Sequence, residues 1–282
     1  MTVLRLADAG EAADLAAFLA RLIHYDRRAA VRLQAGAGTP PAAGGVVAVF
    51  GRPASFEVLA IRTARLAEPC SVDATVSAGQ LADALDAAAA AGASRGGLVV
   101  TVPEAVTGPP WAGVLPPRGG WLRVEGLPGA EDVRAVVAAA VAEFRKRTAA
   151  LPEDGRTRAE LDRIGREIWS RTLGSTGLPL RAAHAAQALG FLRPTGAVPA
   201  ARGGSGAAGG AARSAGSPPG GTGSPSGGAG SAAVGGVRTA PADPAPQPTA
   251  LLAAGSWLRL RTPYGSIAVR RAGLPGLAVT PS

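Results

Sequence analysis

The residues of this chain best suited to chemistry are four arginines near its C-terminal end. Arg259, Arg261, Arg270 and Arg271 all lie within residues 256–271, a segment that contains no acidic residue. A guanidinium group is always charged and presents a planar fork of donors that fits the oxygens of a phosphate. These arginines therefore predict contact with a nucleic acid or another polyanion.

A second set of candidates lies on a helix predicted over residues 179–189. Arg181, His184 and Gln187 are three residues apart, so they share one broad helical face. They are candidates for a nucleic-acid contact beside the hairpin arginines. Because this helix has one arginine among several alanines, simple packing against the rest of the protein is the alternative.

Trp111 and Leu115 are candidates for contact with a protein partner. They lie in residues 107–120 (TGPPWAGVLPPRGG), where four prolines and four glycines exclude regular structure. Such a rigid loop either covers the protein's own core or offers its tryptophan to another protein. Both alternatives remain open at the level of sequence.

No motif in the sequence indicates a catalytic centre. There is no GxSxG, no HExxH and no phosphate-binding glycine loop with its lysine. The single cysteine, Cys70, has no nearby histidine, and no spacing of Cys and His is typical of a metal site. We therefore predict a non-enzymatic protein without cofactor or metal. An enzyme of unrecognised type would have to gather His24, His184 or Cys70 with carboxylates in one pocket.

The formal net charge of +9 is concentrated in the last third of the chain. Residues 1–192 carry 21 basic and 19 acidic residues, whereas residues 193–282 carry 8 arginines against Asp243 alone. Such asymmetry favours a polyanionic partner. No apolar run reaches the roughly 18 residues of a membrane span, and the N-terminal residues do not form a secretory signal. A cytoplasmic protein without a membrane partner is expected.

The hydrophobic pattern predicts an α/β protein of the α+β type. Its N-terminal part should form a mixed or antiparallel sheet with helices, and its C-terminal part a helical region closed by a β-hairpin. The predicted strands are residues 2–6, 31–34, 46–50, 56–62, 98–102 and 121–124, and the hairpin is 256–271. The predicted helices are residues 9–25, 78–91, 130–150, 157–173 and 179–189.

Composition divides the chain into four regions. An α/β domain is predicted over residues 1–128 and a helix-turn-helix-like region over 129–194. Residues 195–249 are rich in Gly, Ala, Ser and Pro and lack hydrophobic periodicity, which predicts a disordered linker. Residues 250–282 should then dock back on the body, because an isolated hairpin is only marginally stable.

The order of the C-terminal elements is that of a winged helix-turn-helix. Three helices precede the hairpin, and glycines at 174–177 lie where that motif reverses direction. In this arrangement the third helix and the hairpin arginines would share one surface. Residues 120–124 (GWLRV) also echo residues 256–260 (SWLRL), and we expect both to be edge strands of similar type.

Three segments carry a resemblance to a known group of proteins. They are GPPWAGVLPPRGGW (108–121), WSRTLGSTGLPLRAAHAAQALGFL (169–192) and SWLRLRTPYGSIAVRR (256–271). They resemble an uncharacterised family of actinobacterial proteins, and the resemblance implies no activity. The second segment is also similar in style to helix-turn-helix proteins.

Three functions are consistent with these observations. The leading hypothesis is a non-enzymatic regulatory or binding protein with a winged-helix-like nucleic-acid contact. The alternative is a protein-interaction or scaffold protein that uses the N-terminal domain and the Trp111 loop. An enzyme of unrecognised type is the third.

Overall fold

The strands of this protein form one antiparallel sheet. The computed structural model describes residues 2–36, 45–92, 97–193 and 248–271. In these residues the strands are β1 (Val3–Leu6), β2 (Ala30–Ala35), β3 (Gly45–Gly51), β4 (Leu59–Leu66), β5 (Val72–Ser77), β6 (Leu98–Thr101), β7 (Leu122–Val124), β8 (Ala250–Ala254), β9 (Trp257–Thr262) and β10 (Gly265–Arg270). The α-helices are α1 (Ala9–Tyr25), α2 (Ala78–Ala91), α3 (Ala130–Ala149), α4 (Arg158–Trp169) and α5 (Leu180–Ala188).

Neighbouring strands follow the order β5-β2-β3-β4-β10-β9-β8-β7 across the sheet. β1 pairs with β6 and meets β4 at Leu6 and Leu66. Every pairing is antiparallel. The predicted α+β class is confirmed.

The helices form because their apolar residues recur at helical spacing and their first turns are capped. In α1, Leu15, Phe18, Leu19 and Leu22 are buried on one side. The Asp8 side chain accepts a hydrogen bond from the Glu11 backbone N–H at 2.9 Å, which caps the helix. All five helices contribute side chains to one hydrophobic cluster against one side of the sheet, which we call the first face.

The C-terminal strands lie in the middle of the sheet. β10 pairs with β4 in the register Ile267 to Ala60, and β9 lies between β10 and β8. β9 is therefore not an edge strand, contrary to the expectation from its echo with β7. Both edges of β9 and β10 carry main-chain hydrogen bonds, so these strands cannot project as a wing.

Some predicted boundaries differ from the structure for local reasons. The strand predicted from residue 56 begins only at Leu59, because Ser55 and Glu57 have φ angles of 71° and 52°. Such left-handed conformations interrupt extended backbone. β5 and β8 were not predicted.

The predicted domain boundary at residue 128 falls between β7 and α3, and the described residues on both sides of it belong to one compact unit. Of the predicted linker, residues 195–247 lie outside the described residues.

Candidate functional site

The side of the sheet opposite the helices, which we call the second face, carries arginines in register. Directly paired residues of antiparallel strands point to the same side. One row across β4, β10, β9, β8 and β7 consists of Leu59, Ala268, Arg259, Leu252 and Arg123. The next row consists of Ile61, Ser266, Arg261 and Ala250. The rows place Arg259 and Arg261 side by side on β9, two strands in from the β7 edge.

Strand alternation explains why these two arginines face away from the helices. In β9 (WLRLRT) Leu258 and Leu260 are 2% and 0% exposed and belong to the main hydrophobic cluster. Because side chains alternate along a strand, Arg259 and Arg261 point to the opposite side. The sequence alternation alone predicts this placement.

Arg259 and Arg261, which we call the arginine pair, lack a counter-charge among the described residues. Both side chains are half-buried, and the Nε atom of each is buried without a hydrogen-bond acceptor. The pKa of Arg259 is lowered, first because burial removes water from its charge and second because Arg261 is positively charged. The pair is thus a concentrated positive charge that the described carboxylates do not neutralise.

Aromatic rings flank the arginine pair. The Arg259 guanidinium carbon lies 5.7 Å from the centre of the Trp121 ring. Trp121 donates its Nε1 hydrogen to the backbone oxygen of Pro117 at 3.0 Å, which orients the ring. Farther along, the Arg270 guanidinium lies 5.3 Å from the Trp257 ring. Both distances are within the range of cation–π attraction.

Trp111 and Leu115 lie against the protein's own sheet. They pack on a second hydrophobic cluster, whose buried members on the second face are Phe50, Leu59, Ile61 and Ala268. A 3₁₀ turn at Pro110–Gly113 carries the tryptophan. The loop before β7 therefore covers part of the second face, which is the first of the two alternatives considered for this loop.

An open cleft lies where this loop approaches β5. Its volume is about 480 Å³, and its polar lining includes Arg32, Asp73 and Thr75. Arg32 donates to the carboxylate of Asp73 at 2.8 Å and to the hydroxyl of Thr75 at 3.1 Å. The hydrogen bond from Arg32 also lowers the pKa of Asp73. In contrast to the arginine pair, Arg32 is therefore neutralised.

The helix candidates lie on the other side of the sheet. Arg181 is 3.9 Å from Glu57, and Gln187 is exposed. The His184 ring stacks on Trp169 with 4.3 Å between ring centres and meets Phe56 edge-on at 5.1 Å. Burial lowers the pKa of His184. His184 therefore contributes to packing and does not project for recognition.

The structure does not bring α5 and the arginine pair onto one surface. α5 has five buried residues and packs in the main cluster on the first face, whereas Arg259 and Arg261 belong to the second face. The winged-helix arrangement is therefore wrong. Element order could not reveal this, because the pairing of β10 with β4 joins segments about 200 residues apart.

Arg270 and Arg271 are exposed at the end of β10. Arg270 is opposite Trp257 in the β9–β10 register, and the Arg271 backbone N–H donates to the oxygen of Ser256 at 2.8 Å. Of the two, Arg270 thus lies on the second face, in the row next to Arg259.

Sequence reasoning missed Trp121 and Arg123 as site residues. The signal was the echo between GWLRV and SWLRL, since both segments carry a tryptophan and, two residues later, an arginine. Trp121 lies just before β7, and Trp257 begins β9. In the structure Arg123 and Arg259 fall in the same row, separated by Leu252.

Comparison with known proteins gives a family. The family described as Domain of unknown function (DUF8185) matches residues 116–274, more than half of the chain. The chain belongs to the DUF8185 family. Residues 1–113 match a second family, described as Domain of unknown function (DUF8010). No curated protein and no solved structure matches the chain. The expectation of a family without an assigned function is confirmed.

The DUF8185 segment and the DUF8010 segment build one sheet. β4 belongs to the DUF8010 segment and pairs with β10 of the DUF8185 segment. The arginine pair and Trp121 all belong to the DUF8185 segment. No helix among the described residues is long and apolar enough to cross a membrane. Within the same residues, no group of three or more His, Cys, Asp or Glu side chains could hold a metal ion.

Proposed function

We propose that this chain is a cytoplasmic, non-enzymatic nucleic-acid-binding protein whose phosphate contact is the arginine pair. The observation that carries the proposal is the pair itself: two half-buried guanidinium groups without a counter-charge among the described residues. The contact lies on the second face of the sheet and does not involve α5.

Electrostatics supports an anionic ligand. Removing a charge from water is costly unless an opposite charge replaces the water, and a second arginine alongside increases the cost. Another pair of partly buried arginines in this protein shares a carboxylate as its counter-charge. Arg62 and Arg193 bind opposite oxygens of Asp14 at 2.6 and 3.0 Å. An anion bound from outside would do the same for Arg259 and Arg261.

The spacing of the pair favours a ligand with repeated phosphates. Side chains two residues apart on a strand are about 6.8 Å apart, close to the separation of consecutive phosphates in a nucleic-acid strand. Arg123 lies in the same row, but its Nε is 3.2 Å from a carboxylate oxygen of Glu125, so this arginine already has a counter-charge and the proposed phosphate contact rests on Arg259 and Arg261. The net charge of +9 adds long-range attraction for a polyanion.

Two observations support a binding role over catalysis. Burial raises the pKa of the Cys70 thiol, which disfavours the thiolate that a nucleophile requires. His184 is enclosed by Trp169 and Phe56, so its ring is poorly placed for proton transfer to a ligand.

The first prediction concerns the salt dependence of binding. Replacing both arginines (Arg259→Ala with Arg261→Ala) should weaken binding of a fluorescent DNA oligonucleotide. Each phosphate contact displaces about one counterion from the DNA. The loss of two contacts should therefore lower the slope of log affinity against log salt concentration by about two. Affinities would be measured by fluorescence anisotropy at several salt concentrations.

Arg27→Ala with Arg28→Ala is the matched control. These exposed residues precede β2, which lies four strands from β9, or roughly 19 Å at 4.8 Å between neighbours. The control removes the same charge and should keep the wild-type slope. The proposal fails if the wild type shows no salt-dependent binding, or if the Arg259 and Arg261 double variant binds with an unchanged slope.

A further inference from the structure

We infer that the nucleic acid bound by this protein is single-stranded, with Trp121 as the ring on which a base stacks. The inference rests on the proposed function and specifies its ligand. It joins two observations: the arginine pair lies on a sheet surface, and an oriented aromatic ring lies beside it.

The first step is the shape of the surface. Reading duplex DNA in the major groove requires a projecting helix or a two-stranded ribbon. α5 is packed on the opposite face, and both edges of β9 and β10 are hydrogen-bonded within the sheet. The arginine pair therefore lies on a broad surface that cannot enter a groove. Unpaired strands suit such surfaces, because their bases are free to lie against them.

The second step is the position of Trp121. Its ring lies 5.7 Å from the Arg259 guanidinium, so one nucleotide can place its base on the ring and its phosphate on the arginine. The hydrogen bond from Trp121 Nε1 to Pro117 holds the ring in place before a ligand arrives. A prepositioned ring reduces the entropy lost on binding.

The third step limits the extent of the site. On the β4 side, Trp111 and Leu115 cover the apolar part of the second face. The surface beside the pair thus extends toward β8 and β7, where Leu252 and Arg123 complete the row. Three strands span about 10 Å between the outer two, which is enough for about two nucleotides.

The experiment compares probes on the unsubstituted full chain. The probes are a single-stranded oligothymidine, a DNA duplex of the same length and inorganic polyphosphate. We expect the single strand to bind at least about tenfold more tightly than the duplex at equal salt and to quench tryptophan fluorescence, because a base lies on the ring. Equal affinity for the single strand and the duplex would overturn the inference.

A substitution then tests the ring. Trp121→Ala should weaken single-strand binding by about tenfold and leave polyphosphate binding unchanged, whereas Trp121→Phe should restore most of the affinity because stacking persists. Leu122→Ala is the control, since Leu122 is 74% exposed and points to the opposite side of β7. A Trp121→Ala variant with wild-type affinity for the single strand would also overturn the inference.

The probes separate the two claims. If the wild type binds none of them, the proposed function fails and the inference fails with it. If all three bind through Arg259 and Arg261 without preference for the single strand, only the inference fails.

Discussion

At the scale of single residues, the surroundings of each arginine decide its role. Arg171 binds both oxygens of Glu143 at 2.6 and 2.8 Å, and Arg147 binds both oxygens of Glu167 at 2.7 Å. Hydrogen bonds from Arg147 hold the pKa of Glu167 at about 2. Arg147 thus ties α3 to α4, and Arg171 ties α3 to the residues that follow α4. Arg259 and Arg261 have no such partners among the described residues, so they retain the capacity to bind a ligand.

His184 gives a prediction at the same scale. Burial against Trp169 lowers its pKa in the folded state, so the folded protein takes up its proton less readily than the unfolded chain does. The contribution of the buried His184 ring to the free energy of unfolding is complete above about pH 6.5, the ordinary pKa of histidine, and is lost as the pH falls below it. Thermal unfolding should therefore show a drop in Tm between about pH 7.5 and about pH 5 that His184→Phe reduces.

The other histidine supplies the comparison for this experiment. His24 is exposed at the end of α1. His24→Gln should keep the wild-type dependence of Tm on pH. If His184→Phe and the wild type lose the same stability on acidification, the buried ring is not the responsible group.

At the scale of elements, the turn between β9 and β10 leaves no room for a side chain at Gly265. Gly265 has a φ of 152°, and a Cβ atom there would lie 2.6 Å from the ring of Phe191. Phe191 itself stacks on Phe18 of α1, with 5.8 Å between ring centres. The ring therefore cannot move freely, and the turn requires glycine.

The corresponding prediction compares two glycines. Gly265→Ala should lower the free energy of unfolding by about 2–4 kcal/mol, because it adds overpacking to backbone strain. Gly255→Ala should cost only about 1 kcal/mol, since Gly255 has a φ of 52° but nothing within 4 Å of the added Cβ. Urea denaturation would measure both. Equal losses would show that the contact with Phe191 is unimportant.

Local sequence patterns predicted where the helices and strands lie better than they predicted which strands pair with one another. The predicted bounds of α1 and α2 agree with the structure, because apolar spacing and the caps at Asp8 and Ser77 are encoded within a few residues. The alternation in β9 likewise predicted which side the arginine pair takes. β8 (ALLAA) escaped detection, since a short apolar run beside an alanine- and proline-rich stretch has no alternation to recognise.

The choice of neighbouring strands could not be predicted from short segments of sequence. Nothing within residues 265–270 indicates that β4 is their neighbour, because that choice is made by the packing of the whole core. The winged-helix hypothesis failed at this point. The face on which its candidate arginines lie, and their nearness to Trp121 and Arg123, depended on pairings that only the structure shows.

At the scale of the whole molecule, the last strands complete the sheet that the first segment begins. Leu251, Leu258, Leu260 and Ile267 are at most 2% exposed and belong to the same cluster as residues of α1 and β4. Burial of these four side chains contributes about 6–12 kcal/mol, which is comparable to the whole stability of a typical protein, about 5–15 kcal/mol, and the lost strand pairing adds to this. A chain that ends at residue 249 should therefore fail to show cooperative thermal unfolding by circular dichroism.

The composition of residues 196–246 predicts a different outcome for an internal deletion. Replacing them by about 12 Gly and Ser residues keeps every described strand and helix while shortening the connection to β8 about fourfold. Each halving of a flexible loop lowers its closure cost by about 0.6 kcal/mol, so the shortened chain should be as stable as the wild type or more stable by about 1 kcal/mol. Its arginine pair should also keep the wild-type salt slope. A large fall in Tm for this variant would mean that residues 196–246 contribute to the folded body, and loss of oligonucleotide binding at an unchanged Tm would place part of the interface in them.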